Sequence, residues 1–277
     1  MMEDLTNITD EELRRVIQTV RTIDDIDLGQ FQPVILKHRV CRFAALQGYE
    51  SVSKLADKLI TDRSLIHIFL QKIAVPTTEM FRDAEFWTEL ETIINDKLSA
   101  ERFIKIWVPD ICGDDELNTL LVILSRNNLM HKATIYATSQ FQQAIDNSRE
   151  SYIDTKKFEI SDANFKRINS DNSLLPYLER LEKYYKFSPK LLDKVIFIKQ
   201  CLSKDTPPDK GFNLILFRNR CLFYNPTIRR TAIEKIGQSL MPGGYLAIGS
   251  GENLDETDQQ SMLVQVSKNE KIYKKKQ

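Results

Sequence analysis

The stretch KIWVPDICGDDELNTL, residues 105–120, decides how the rest of the chain is read. Its apolar run around Trp107 reads as a buried strand, its middle as a short loop, and the residues after Asp115 as a helix. A strand that runs through a loop into a helix is a common seat for nucleotide-type cofactors, because the helix N-terminus presents unpaired backbone N–H groups. Yet the loop contains Gly113 and three acids, Asp110, Asp114 and Asp115, with Glu116 just behind. The question is whether it is a cofactor loop or an overwritten one.

Downstream, ATIYATS, KVIFIKQ, FNLILFR and GYLAIGS are β-rich runs, mostly separated by helical patterns such as LNTLLVILSRNN and PTIRRTAIEKIGQSL. Strands alternating with helices predict an α/β fold with a parallel, doubly wound, Rossmann-like sheet, whose ligands bind beyond the strands' C-terminal ends. The segment 155–195 fits that rhythm poorly and is expected to be an insertion. The C-terminal SKNEKIYKKKQ predicts a final strand and a solvated end.

Upstream the pattern is purely helical. Thr9 stands three residues before Glu12, the spacing of a capping box. Pro33 near the start and Gly48 at the end bracket a second helix, and SVSKLADKLITDRSLIHIFLQKI supplies one or two more. The expected organisation is a helical domain over 1–75 and an α/β domain over 76–277.

Lys+Arg and Asp+Glu both total 39 in 277 residues, so no global field draws in nucleic acid or anionic lipid. No apolar segment is long enough to insert in a membrane, and the acidic N-terminus is unlike a signal peptide. The four cysteines are scattered without a CxxC pair, which predicts reduced thiols, a cytoplasmic protein and no metal site.

Three stretches, VPTTEMFRDAEFWTEL, FNLILFRNRCLFYN and SLMPGGYLAIGSGENL, resemble in order and spacing the CheR family of chemotaxis methyltransferases. The resemblance extends over nearly the whole chain, the helical domain included. It implies transfer of a methyl group from S-adenosylmethionine to glutamate side chains of chemoreceptors, and it implies that the insertion is a small antiparallel β-subdomain.

Carried over residue by residue, the resemblance makes Thr78 and Arg82 of TTEMFR cofactor contacts, Arg82 also acting at the reaction centre. A guanidinium suits a carboxylate, whether of a glutamate substrate or of the cofactor's methionine end. Arg218 and Asn219 are kept. Phe223 stands at the family's active-site tyrosine, with Tyr224 one residue late. Asp110 replaces a loop glycine, and Asp115 keeps the family's acid one methylene shorter. At roughly 5 Å and an effective dielectric of about 20, the charge of Asp110 would repel the cofactor carboxylate by about 3 kcal/mol. Ser139 replaces the acid that receives the ribose hydroxyls, Cys201 replaces an asparagine beside the adenine while Leu202 remains, and Pro76 replaces another asparagine. Pro242, Gly243 and Gly244 are expected to build a turn.

Lys37, Arg39 and Arg42, with His38, form a basic flank corresponding to the family's receptor-facing helix. No glycine lies between Gly113 and Gly211, whereas members that dock on a receptor's tether carry glycines in the β-subdomain. Two readings follow. One is a pseudoenzyme-like CheR fold with weak or lost S-adenosylmethionine binding that acts by binding a chemoreceptor or other signalling protein. The other is a working protein-glutamate methyltransferase with an unusual pocket.

Overall fold

A computed structural model describes residues 8–74, 79–169, 172–254, 262–267 and 269–277. The chain divides into two compact units, Met1–Val75 with Cys221–Thr231, and Pro76–Arg220 with Ala232–Gln277. The junction expected at 75/76 lies outside the described residues, as do Pro76 and Thr78. The segment 221–231, expected in the α/β domain, groups with the helical residues instead.

In the first unit, α1 (Asp10–Asp24) starts at a complete capping box: Thr9 Oγ1 accepts from the Glu12 N–H, and Glu12 accepts from the Thr9 N–H. Its buried residues Leu13, Val16 and Val20 follow the spacing of one helical face. α2 (Pro33–Leu46) has proline at its first turn, and Gly48 beyond its end takes φ 74°. α3 (Val52–Thr61) is capped by Ser51, and α4 (Arg63–Ile73) by Asp62, which also terminates α3.

The second unit opens with α5 (Ala84–Ile93), continued by a π-helical turn over Ile94–Leu98. There follow β1 (Ile104–Val108), α6 (Asp115–Arg126), β2 (Ala133–Ser139) and α7 (Gln142–Glu150). Next come β3 (Tyr152–Asp154), α8 (Thr155–Ile168), β4 (Leu178–Arg180), β5 (Tyr184–Phe187) and the short α9 (Pro189–Leu192). β6 (Val195–Lys199), β7 (Phe212–Phe217), α10 (Pro226–Ser239, begun in the first unit), β8 (Leu240–Ile248), β9 (Leu263–Gln265) and β10 (Ile272–Lys275) complete it.

The large sheet has the order β6-β2-β1-β7-β8-β10-β9. Its first five strands pair in parallel, and β10 and β9 add antiparallel strands at one side. This is the α/β class the alternation predicts. All six residues of β7 are buried, as a central parallel strand requires. β3, β5 and β4 form a separate antiparallel sheet.

Pro242–Gly244 do not make a free turn, because they lie inside β8. Phe212 pairs with Leu240 and Leu214 with Tyr245, so β8 bulges there against β7. A Cβ on Gly244 would come within 2.7 Å of the Phe212 carbonyl oxygen, so the close backbone approach fixes glycine.

Candidate functional site

Strand order reverses at β1, which lies between β2 and β7. In open α/β sheets the crevice beyond the carboxyl ends at such a reversal receives the ligand. The loops that bound it follow β1, β2, β6 and β7, and they hold most of the expected site residues.

After β1 the chain turns through Asp110, which is buried with φ 55°. Only small penalties allow Asp in this left-handed region, where glycine is at ease. The position expected from the resemblance to be a glycine therefore keeps a glycine's backbone. The loop is then tied down by the Ile111 N–H, which donates to the Thr138 carbonyl at 2.8 Å.

Asp114 precedes the first turn of α6, and Asp115 and Glu116 lie in it. Lys157, from α8, reaches in: its Nζ is 2.7 Å from Asp115 Oδ1 and 3.3 Å from Asp114 Oδ1. Ser151 Oγ and Asn118 Nδ2 also donate to Asp114. Burial, reinforced by the neighbouring Asp114 charge, pushes Asp115 up to about 7, with Lys157 pulling the other way. Burial opposes the charge on Lys157, but Asp114 and Asp115 together hold its ammonium well above the usual lysine range.

Glu116 faces Arg218, whose Nη1 lies 3.2 Å away, while Arg218 Nη2 pairs with Asp83 at 2.7 Å. The buried guanidinium sits 3.9 Å from the Phe86 ring centroid. Burial raises Glu116, and the charges of Arg218, Arg220 and Arg82 oppose that rise. Arg82 itself is exposed. Its neighbours Phe81 and Asp83 take φ 55° and 60°, sparsely populated for side chains of their kind. The segment is held by hydrogen bonds from the Phe81 N–H to Thr119 Oγ1 and from the Met80 N–H to Ser161 Oγ.

At the ends of β2 and β6 the chemistry is neutral. Ser139 is fully buried, and its Oγ accepts from the Phe141 N–H at 3.2 Å, an internal turn contact. Gln140 is 4% exposed, and neither atom of its amide has a hydrogen-bond partner among the described residues. Beside it Gln200, 6% exposed, donates its backbone N–H to the Ser139 carbonyl and leaves Oε1 without a partner. The Cys201 N–H donates to Asp205, Leu202 is buried, and Lys235 Nζ donates to the carbonyls of Leu202, Ser203 and Asp205, clamping this loop. After β7, Asn219 takes φ 56°, its N–H and that of Gly249 both donate to Glu252, and its side chain occupies the space a Cβ on Gly249 would need.

Residues 76–270 match the family described as CheR methyltransferase, SAM binding domain. The chain belongs to the CheR methyltransferase family. Relatives include a Pseudomonas putida protein bearing the name methyltransferase Cher3, 22% identical over 96% of this chain and 97% of its own. A chemotaxis protein methyltransferase of Borreliella burgdorferi is 24% identical over 90% of each chain, and one of Listeria monocytogenes 21% identical over 83% and 85%.

S-adenosylmethionine, the cofactor this CheR domain implies, has a neutral adenosine end and an amino-acid end with an ammonium and a carboxylate. The orphaned amide of Gln140 and carbonyl of Gln200 suit the first. The acidic loop suits the second poorly: Lys157 is already held by Asp114 and Asp115, and Arg218 by Glu116 and Asp83, so these charges are paired within the chain. The neutral strand ends thus suit the nucleoside half of the cofactor, while the charged groups at the start of α6 are already paired within the chain.

Of the expected site residues, Arg82, Asp110, Asp115, Ser139, Leu202, Arg218 and Asn219 all belong to this unit, and Thr78 lies outside the described residues. Phe223 and Tyr224 belong to the other. The Phe223 carbonyl accepts from the Gln32 N–H and its ring lies under Arg39, while Tyr224 is buried and stacks on Phe31 at 6.0 Å. In that same unit Lys37 pairs with Asp10, and Arg39 caps α4 through the carbonyls of Lys72, Ile73 and Ala74. Arg42 is exposed, in a pocket lined also by His38, Arg39, Phe43, Leu46 and Lys72.

Lys157, Gln140 and Gln200 escape a reading of the sequence for different reasons. Lys157 meets Asp114 across 43 residues, and no local pattern announces that pair. The glutamines stand directly beside Ser139 and Cys201, so the strand ends themselves were the available signal.

Proposed function

We propose that this chain is a CheR-fold protein with weak or lost S-adenosylmethionine affinity that acts by binding a partner in chemotaxis-type signalling. The observation that carries the reading is the pair of contacts from Lys157 to Asp114 and Asp115. Those contacts satisfy from within the acids that a ligand ammonium would need. Ser139 adds to it, because a neutral hydroxyl offers the ribose weaker hydrogen bonds than a carboxylate would. On the partner side, the pocket around Arg42, with Lys72 as a second cation and Phe43 and Leu46 as apolar lining, suits an acidic, amphipathic protein segment such as a chemoreceptor helix. Lys37 and Arg39 have internal partners, so Arg42 is the residue expected to matter most.

Calorimetric titration with S-adenosylhomocysteine tests the reading. Absence of binding at millimolar ligand supports it, and micromolar affinity overturns it in favour of an active protein-glutamate methyltransferase. One observation favours that second reading: Phe81 and Asp83 hold a strained backbone on both sides of Arg82, and such strain collects at functional sites.

A further inference from the structure

From the two unlike ends of the crevice we infer a ligand preference: the site takes an adenine nucleoside that lacks an amino-acid tail, such as 5′-methylthioadenosine, ahead of S-adenosylhomocysteine. The inference rests on the proposed weakness toward the cofactor and says what the crevice binds instead.

Two independent observations carry it. The first is the unpaired amide of Gln140 with the unpaired Oε1 of Gln200, whose Nε2 already donates to the Thr206 carbonyl. Buried polar groups in native proteins nearly always have a partner, so Gln140 with both amide atoms unpaired, next to Gln200 with its Oε1 unpaired, calls for a ligand. The two residues follow β2 and β6 and are joined by the hydrogen bond from the Gln200 N–H to the Ser139 carbonyl. A carboxamide offers a donor and an acceptor side by side, the complement of an adenine edge. It also offers hydrogen bonds without charge, which suits a neutral nucleoside.

The second observation is Lys157. A ligand ammonium would have to displace it from Asp115, where it sits at 2.7 Å, and so gains little on binding. A ligand carboxylate finds Lys157 held by Asp114 and Asp115, and Arg218 held by Asp83 and Glu116, so it too must compete with an internal partner. Arg82 is the exposed cation of this end, and its charge bears on Glu116 already. Both charges of an amino-acid tail are therefore disfavoured, and a methylthio group escapes both costs.

The experiment compares 5′-methylthioadenosine with S-adenosylhomocysteine by calorimetry on the full chain, wild type and two variants. These ligands share the adenosine thioether and differ in the charged tail. Wild type is expected to bind methylthioadenosine at least about tenfold more tightly. Lys157→Met should narrow that gap by strengthening S-adenosylhomocysteine alone, and Gln140→Leu should weaken methylthioadenosine by about tenfold. Circular dichroism confirms that each variant is folded, and the wild-type comparison decides the preference even where a variant does not fold. Equal affinities, or tighter S-adenosylhomocysteine, overturn the preference. If that tighter affinity is micromolar, the proposed function falls with it. If neither ligand binds at millimolar concentration, the preference is overturned while the proposed function stands.

Discussion

At the N-terminus of α6, Asp114, Asp115 and Glu116 each have a cationic side chain within 3.3 Å, whereas at the ends of β2 and β6 the Gln140 amide and the Gln200 Oε1 have no hydrogen-bond partner among the described residues. The first region spends its chemistry on itself, and the second holds chemistry in reserve. For stability this means that the charged region is costly to break, while the neutral region is costly to keep. For function it means that burial alone does not identify a binding group. A buried acid with an internal lysine is part of the scaffold until that lysine leaves, and a buried amide without a partner is not.

The contrast is most exposed at Arg218. Replacing it with Met keeps much of the packing on Phe86 but leaves Glu116 buried without its nearest cation, and breaking such a pair costs about 3–5 kcal/mol. Urea unfolding should show that loss, and a change below about 1 kcal/mol would mean that Arg220 and Arg82 carry Glu116 unaided.

Next in size is a pH effect at Asp115. Its folded value of about 7 lies above the ordinary 3.8, so the folded chain keeps a proton that the unfolded chain has lost. Stability from this group therefore falls as pH rises from about 4 to about 7. Asp115→Asn lacks that loss, so relative to wild type it should gain about 2–3 kcal/mol between pH 5 and pH 8. A pH-independent difference would show that Lys157 keeps Asp115 ionised throughout.

At the neutral end the sign reverses. Gln140→Leu removes an unpaired buried amide and should stabilise the chain by about 1–2 kcal/mol in the same unfolding experiment. Destabilisation would reveal a partner for the amide and remove half the contrast. The smallest effect is expected at Lys235→Met, which withdraws the clamp from the carbonyls of Leu202, Ser203 and Asp205. On this half-exposed lysine the loss should be about 0.5–1 kcal/mol, seen more clearly as faster amide exchange in the loop.

The central sheet was legible because β1, β2, β6, β7 and β8 are apolar runs separated by turn residues; burial on both faces leaves that signature in β7, while β6, at the sheet's end with none of its residues buried, shows it through Val195, Ile196 and Ile198. β4 and β5 were not legible as strands, since their side chains are mostly exposed or half-buried and no period-two pattern survives. Pro242–Gly244 read as a turn because Pro-Gly-Gly usually is one; the bulge exists through the approach of the Phe212 carbonyl, which no local pattern encodes. At the site, the replacements at Asp110 and Ser139 could be read from the residues themselves. What stands in their place could not, because Lys157 arrives from a distant helix and the orphaned state of Gln140 is a property of its surroundings.

The backbone at Asp110 carries one more implication. With φ at 55°, that residue already holds the shape a glycine would take, so Asp110→Gly changes charge and bulk without asking the loop to refold. Aspartate and glycine codons differ by a single base. A lineage carrying this loop is therefore one short mutational step from shedding a buried carboxylate, with little of the fold standing in the way. Whatever activity such descendants select, the route runs through a position whose backbone already suits glycine.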